Sequence, residues 1–102
     1  MRQQKQPYDE QLVEQVEQII CDFFQTTLDE IRGYKKESTL PTARYSLFYL
    51  LHERYGLSAS QIALRYNRTP RLIFVANAQM KHFVKWDAYI IATFKDLLPL
   101  MP

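Results

Sequence analysis

The stretch of sequence that decides the fold is Leu57-Ser58-Ala59-Ser60-Gln61-Ile62-Ala63-Leu64-Arg65-Tyr66-Asn67-Arg68-Thr69-Pro70-Arg71. Ser58 is a favoured N-cap residue, and Gln61 follows it at the spacing of a capping box. The helical pattern breaks at 67–68 and resumes at Thr69-Pro70, where a threonine N-cap precedes a proline at the first helical position. The stretch therefore contains one short helix and the start of the next.

These two helices, about 58–66 and 70–84, are joined by a tight turn and form a candidate helix-turn-helix. In that motif the N-terminal residues of the second helix contact base edges in the major groove. Three arginines lie along the edge that would face DNA phosphates and bases: Arg65, Arg68 and Arg71. Many all-helical domains use such a helix pair as plain core packing, so the spacing alone leaves both interpretations open.

The composition agrees with a helical globular domain. Of the 102 residues, 47% are hydrophobic and 24% are charged, which excludes the charge-rich, apolar-poor class of disordered chains. Two glycines and five prolines are too few for a fold with many tight turns or for a glycine-rich phosphate loop. We therefore predict an all-α, compact domain of about six helices that contains the helix-turn-helix and has no ATPase activity.

Apolar periodicity and capping signals place the other helices. They are predicted from Asp9 to about 24, over 28–32, from Pro41 to about 55, and from Asp87 to 98. Gly33 and Gly56 are expected to end the second and third helices, Gly33 in the left-handed conformation. The outer side of the helix that starts at Pro70 is expected to present Arg71, Phe74 and Asn77. The single domain spans 9–98, between a flexible lead-in of residues 1–8 and a C-terminal tail of residues 99–102.

Charge is distributed unevenly along the chain. Residues 1–31 hold two basic and seven acidic side chains, whereas residues 32–102 hold eleven basic and four acidic ones. A basic face beside an acidic helix favours polyanion binding by the basic part. The acidic first helix could bind a protein partner or a second copy of the chain, although a solvated acidic face explains the same pattern.

The sequence contains no constellation of residues for metal binding or catalysis. His52-Glu53 begins a zinc-type His-Glu-x-x-His helix, but Gly56 stands where the second histidine would be. The single cysteine, Cys21, is predicted to behave as a small hydrophobe. No apolar run approaches the roughly 18 residues that cross a bilayer, and no leader peptide is apparent. We therefore expect a cytoplasmic, non-enzymatic domain with no cofactor, no metal and no membrane contact.

Four segments carry a further pattern. They are Ile19 to Phe24 followed by Leu28 to Ile31, the pair Lys35-Lys36, the helix from Arg44 to Tyr55, and Leu57-Ser58 with Gln61-Ile62. In this order they resemble the C-terminal DNA-binding domain of the DnaA family, the bacterial chromosomal replication initiators, from about Val16 to Leu98. The resemblance implies a helix-turn-helix fold, double-stranded DNA as the partner and a role in replication or transcription.

The chain departs from that family at its most diagnostic segment. Where the family has Gly-Gly-Arg-Asp-His-Thr-Thr-Val, this chain has Asn67-Arg68-Thr69-Pro70-Arg71-Leu72-Ile73, and only the arginine Arg68 is shared. The base-reading Asp-His-Thr positions fall on Thr69, Pro70 and Arg71, whose donors and acceptors differ. The resemblance therefore implies the architecture, a basic loop at Lys35-Lys36 and an arginine at the mouth of the reading helix, and it does not imply the family's target sequence.

The predicted DNA interface combines basic and base-reading residues. Phosphate contacts are assigned to Lys35, Lys36, Arg44, Arg65, Arg68 and Arg71. Positions near bases are assigned to Ser60, Thr69, Arg71 and Phe74. Because Arg68 and Arg71 lie off the inward stripes, their double replacement by alanine is predicted to lower DNA affinity without unfolding the domain. The alternative is a degenerate DnaA-like domain that acts as a protein-interaction module, and the ring of Phe74 suits either a thymine methyl or a protein contact.

Overall fold

The computed structural model describes residues 8–102, and all regular structure in that range is helical. The elements are α1 (Glu10–Phe24), α2 (Leu28–Arg32), α3 (Leu40–Glu53), α4 (Ala59–Tyr66), α5 (Pro70–Trp86) and α6 (Ala88–Leu97), followed by a 3₁₀ turn (Leu98–Leu100). The predicted all-α class with six helices is confirmed. The predicted lead-in lies outside the described residues except for Tyr8, which packs against the core.

Side-chain caps fix where five of the six helices begin. Asp9, Thr27, Ser58, Thr69 and Asp87 each accept a hydrogen bond from the backbone N–H three residues later, at 3.0 to 3.2 Å. At α4 the capping box is complete, because the Ser58 backbone N–H also donates to the Gln61 side chain at 2.8 Å. Each such cap typically contributes about 1 kcal/mol, so these residues determine the helix boundaries that the sequence predicts.

Two helices end at non-glycine residues in the left-handed conformation, namely Gln25 with φ 56° and Asn67 with φ 59°. Gly56 also has a positive φ of 78° and follows α3. The predicted left-handed stop at Gly33 is wrong, since its φ is −76°. The carbonyls at the end of α2 accept hydrogen bonds from arginine side chains of α3 and of the α4–α5 connection, so no left-handed turn is needed there.

The hydrophobic core is built around α3, which packs against α1, α2, α4 and α5. Leu47, Phe48 and Leu51 of α3 are completely buried. Asn77 of α5 is also buried at 8% exposure, which corrects its predicted place on the outer face. Its Oδ1 atom, like Ser46 Oγ in α3, has no hydrogen-bond partner within the described residues.

The C-terminal residues belong to the packed domain and do not form a tail. Met101 is only 7% exposed, and the Tyr55 hydroxyl donates a hydrogen bond to the Pro102 carbonyl at 2.9 Å. The domain therefore extends through residues 8–102, beyond the predicted limit at 98. Over this range no helix has the length and apolarity required to span a membrane.

Candidate nucleic-acid interface

Helix α5 presents a basic face with apolar residues near its N-terminal end. The helix packs inward through Ile73, Ala76 and Met80. Its exposed residues are Pro70, Arg71, Phe74, Val75, Ala78, Gln79, Lys81, His82, Lys85 and Trp86. Residues 70–86 contain no aspartate or glutamate, so the outer face has only cationic formal charges. Such a face is suited to a polyanion.

The basic loop after α2 is held next to the start of α5 by Tyr34. The Tyr34 hydroxyl donates a hydrogen bond to the Asn67 carbonyl at 3.1 Å and accepts one from Asn67 Nδ2 at 3.0 Å. The Arg68 guanidinium stacks over the Tyr34 ring, with Cζ 4.6 Å from the ring centroid. Exposed Lys35 and Lys36 follow Tyr34 directly, so the structure brings their loop to the same edge as the α4–α5 connection.

Arg44 is an internal residue, which contradicts the predicted phosphate contact. It is 5% exposed, and its Nε and one terminal nitrogen donate to the carbonyls of Ile31 and Glu30 at 2.9 and 2.7 Å. The other terminal nitrogen donates to the Lys35 carbonyl. Burial, with the nearby charge of Arg68, lowers the pKa of Arg44. Its guanidinium closes the C-terminal end of α2 and fixes the loop that carries the lysines.

Arg68 has a similar positioning role from the other side of the loop. One terminal nitrogen donates to the Arg32 carbonyl and to the Tyr66 carbonyl, both at 2.9 Å, and the other donates to the Gly33 carbonyl at 2.6 Å. These bonds join the α4–α5 connection to the end of α2. The assumption that Arg68 can be replaced without a structural effect is therefore wrong, although the residue does lie at the edge where it was predicted.

Arg65 is partly buried and forms an ion pair with the first helix. Its Nε and one terminal nitrogen contact the two carboxylate oxygens of Glu17 at 2.8 and 3.0 Å, and Glu17 is 4% exposed. Arg65 contacts Glu10 at 2.9 Å as well, and the Tyr66 hydroxyl donates to Glu17 at 2.6 Å. This network contradicts the predicted phosphate contact of Arg65, because its donors are already used by carboxylates.

The buried phenol of Tyr66 gives the network a pH signature. Burial, followed by the hydrogen bond to Glu17, raises the pKa of Tyr66 above its usual value near 10. Above pH 10 the phenol loses its proton in the unfolded chain but keeps it in the folded protein. The unfolding free energy therefore decreases as the pH rises above 10, by about 1.4 kcal/mol per pH unit, and this contribution is fully retained at lower pH. We expect urea unfolding between pH 9 and 11 to show this decrease in the native protein. Tyr66→Phe should show a shallower decrease, and equal slopes would contradict the network.

Helix α1 supplies the partners of this network and a separate acidic surface. Glu14 and Asp22 remain exposed, and they line a cleft together with Glu17, Arg32 and Arg65. On the inner face of α1, Cys21 is buried, as predicted, and burial raises the pKa of its thiol. The predicted binding of a protein partner or a second copy by this helix stays a prediction.

The remaining predicted interface residues are exposed. Lys35, Lys36, Ser60, Thr69, Arg71 and Phe74 all lie at the surface, and Thr69 also caps α5. Sequence reasoning missed three basic residues farther along the outer face of α5, Lys81, His82 and Lys85. Their spacing was the signal, because Lys81, His82 and Lys85 each follow an outer-face residue, Phe74, Val75 and Ala78, by seven residues and therefore lie on the same side of the helix.

The described residues, 8–102, were also compared with the arrangement that a metal site requires. No three His, Cys, Asp or Glu side chains in this range are grouped to hold a metal ion. His52 Nδ1 instead lies 2.8 Å from the Leu57 carbonyl. No protein-family model matches the chain, and no curated protein is significantly similar to it.

Proposed function

We propose that this domain binds double-stranded DNA, with α4 and α5 acting as a helix-turn-helix and α5 lying in the major groove. The observation that carries the proposal is the outer face of α5, which has no acidic residue and begins beside the basic loop of Lys35 and Lys36. The earlier resemblance to the DnaA family agrees with this function. Membership of the DnaA family, like any role in replication or transcription, is part of the proposal.

The number of free cations sets the expected strength of the electrostatic contribution. With Arg44 buried and Arg65 paired with carboxylates, the exposed cations of the proposed interface are Lys35, Lys36, Arg71, Lys81 and Lys85. Each neutralised phosphate contributes about −0.9 to the slope of log K against log salt. Full engagement of these five side chains therefore gives a slope of about −4 to −5.

The direct test is fluorescence anisotropy of the protein with labelled random and AT-rich duplexes across a salt series. We expect binding at low salt with the slope given above. No binding to either duplex at low salt, by protein whose circular dichroism is helical, would overturn the proposal. A slope near zero would also overturn it, because it would exclude contacts to phosphates.

A triple variant locates the interface. Arg71→Ala, Lys81→Ala and Lys85→Ala together should reduce the size of the slope by about 2.7 and weaken binding at least 100-fold at moderate salt. These side chains are exposed, so the unfolding free energy should change little. Arg54→Ala with Lys95→Ala removes cations from other parts of the surface and serves as the control. Equal losses in the two variants would place the interface elsewhere.

A second candidate function, protein binding, is favoured by apolar surface at the other end of the domain. Trp86 is 73% exposed, and Ile91 and Leu98 line a mainly apolar groove with Tyr49 and Val84. Exposed apolar clusters often mark protein contacts. Analytical ultracentrifugation of native protein and Trp86→Ala distinguishes the two functions, because self-association lost in the variant would indicate a protein interface at this end.

A further inference from the structure

Exposed apolar side chains lie near the N-terminal end of α5, within its basic outer face. Phe74 is 65% exposed and Val75 is 47% exposed, and Ala78 is exposed one turn later. They lie between Arg71 on one side and Lys81, His82 and Lys85 on the other. An apolar segment flanked by cations at both ends matches a groove whose floor is uncharged and whose rims are phosphates.

Chemistry limits what these side chains can recognise on a base pair. Phenylalanine, valine and alanine side chains neither donate nor accept hydrogen bonds, so they cannot read the N7, O6, N6 or N4 atoms of the major groove. The apolar feature that the major groove offers is the C5-methyl group of thymine. Arg71 before this segment and the exposed Gln79 after it carry the hydrogen-bonding side chains. Arginine pairs in a bidentate manner with guanine, and glutamine with adenine.

We infer that α5 selects DNA by thymine methyl groups, with Phe74 and Val75 as the methyl-contacting residues and Arg71 contacting a neighbouring guanine. This inference rests on the proposed DNA binding and specifies its target class, a site with a guanine next to thymines. From residue 71 to residues 74 and 75 the helix rises about 4.5 to 6 Å, which corresponds to one or two base-pair steps.

The test removes the methyl group without changing any hydrogen bond. Duplexes enriched by the protein from a random 24-base-pair pool are resynthesised with uracil in place of thymine, which lacks only the C5-methyl. We expect affinity to fall about fourfold for each contacted methyl, the effect of exposing one buried methyl group. Replacing cytosine by 5-methylcytosine at the matching position of a weaker site should restore part of the affinity.

Variants assign the effect to the apolar residues. Phe74→Ala with Val75→Ala should bind the thymine duplex less tightly and should no longer distinguish thymine from uracil. Arg71→Ala should bind less tightly but keep the distinction. Tyr89→Ala removes an exposed aromatic ring from α6 and should behave like native protein.

The outcomes separate this inference from the proposed function. Salt-dependent duplex binding with equal affinity for thymine and uracil duplexes overturns methyl recognition and leaves DNA binding intact. An absence of duplex binding overturns both. If the Phe74 and Val75 variant binds DNA normally but loses a dimer that native protein forms in ultracentrifugation, the apolar segment is a protein interface and the inference is wrong.

Discussion

Glu17→Gln is expected to lower the unfolding free energy of the domain by about 3 to 5 kcal/mol, the usual penalty for breaking a buried ion pair from one side. The carboxylate accepts from Arg65 and from the Tyr66 hydroxyl, and it is 4% exposed. The amide keeps the shape of the side chain but has no charge, and it adds an N–H₂ group among donors. The Arg65 charge then stays largely buried, with its side chain 11% exposed.

Urea unfolding followed by circular dichroism measures this loss, with Glu14→Gln as the matched control on the exposed side of the same helix. The control should change stability by less than about 0.5 kcal/mol. Glu17→Met combined with Arg65→Met removes both charges and should recover much of the loss, because apolar replacements of buried pairs are often nearly neutral. Similar stabilities for Glu17→Gln and Glu14→Gln would show that the ion pair does not hold α1 to α4.

Local sequence signals predicted the helices of this fold because they act over three or four residues. Ser58 with Gln61, and Thr69 with Pro70, are complete caps in sequence and become complete caps in the structure. Apolar periodicity placed α3 at the centre in the same way, since each buried position is fixed by the helical repeat. These features do not require knowledge of which helices meet.

Long-range pairing was not predictable from the same patterns. The sequence predicts phosphate contacts for Arg44, Arg65 and Arg68, because an arginine beside a turn has the same sequence signature whether it faces DNA or the interior. Key partners are distant in the sequence, since Ile31 lies 13 residues from Arg44 and Glu17 lies 48 residues from Arg65. Glu17 itself gave no signal, since its burial depends on α4 packing beside α1. The candidate interface consequently shifts from the turn toward the outer face of α5.

The variant Arg44→Met tests whether Arg44 positions the basic loop or contacts a phosphate. The variant leaves the partly buried carbonyls of Glu30 and Lys35 without their side-chain donor, and the Ile31 carbonyl keeps only a longer bond from Arg68 at 3.4 Å. Each buried carbonyl that loses its partner costs about 1 to 3 kcal/mol. We expect a loss of about 3 kcal/mol in unfolding free energy, which urea titration measures. Arg44→Lys should recover only part of it, because one ammonium group cannot reproduce the planar fork that spans three carbonyls.

The salt dependence of DNA binding by the same variants then decides between the two roles. Folded Arg44→Met should bind more weakly, because the loop of Lys35 and Lys36 loses its support and has to be ordered when DNA binds. Both lysines still reach their phosphates in the complex, so the slope should stay within about 0.3 of the native value, well under the change expected from losing one phosphate contact. Arg71→Ala should give the opposite pattern, with native stability and a slope reduced by about 0.9. If Arg44→Met instead keeps its stability and loses about 0.9 in slope, Arg44 contacts a phosphate and does not pin the loop. Only this pair of readouts, taken on both variants, distinguishes a residue that builds the interface from one that touches the DNA.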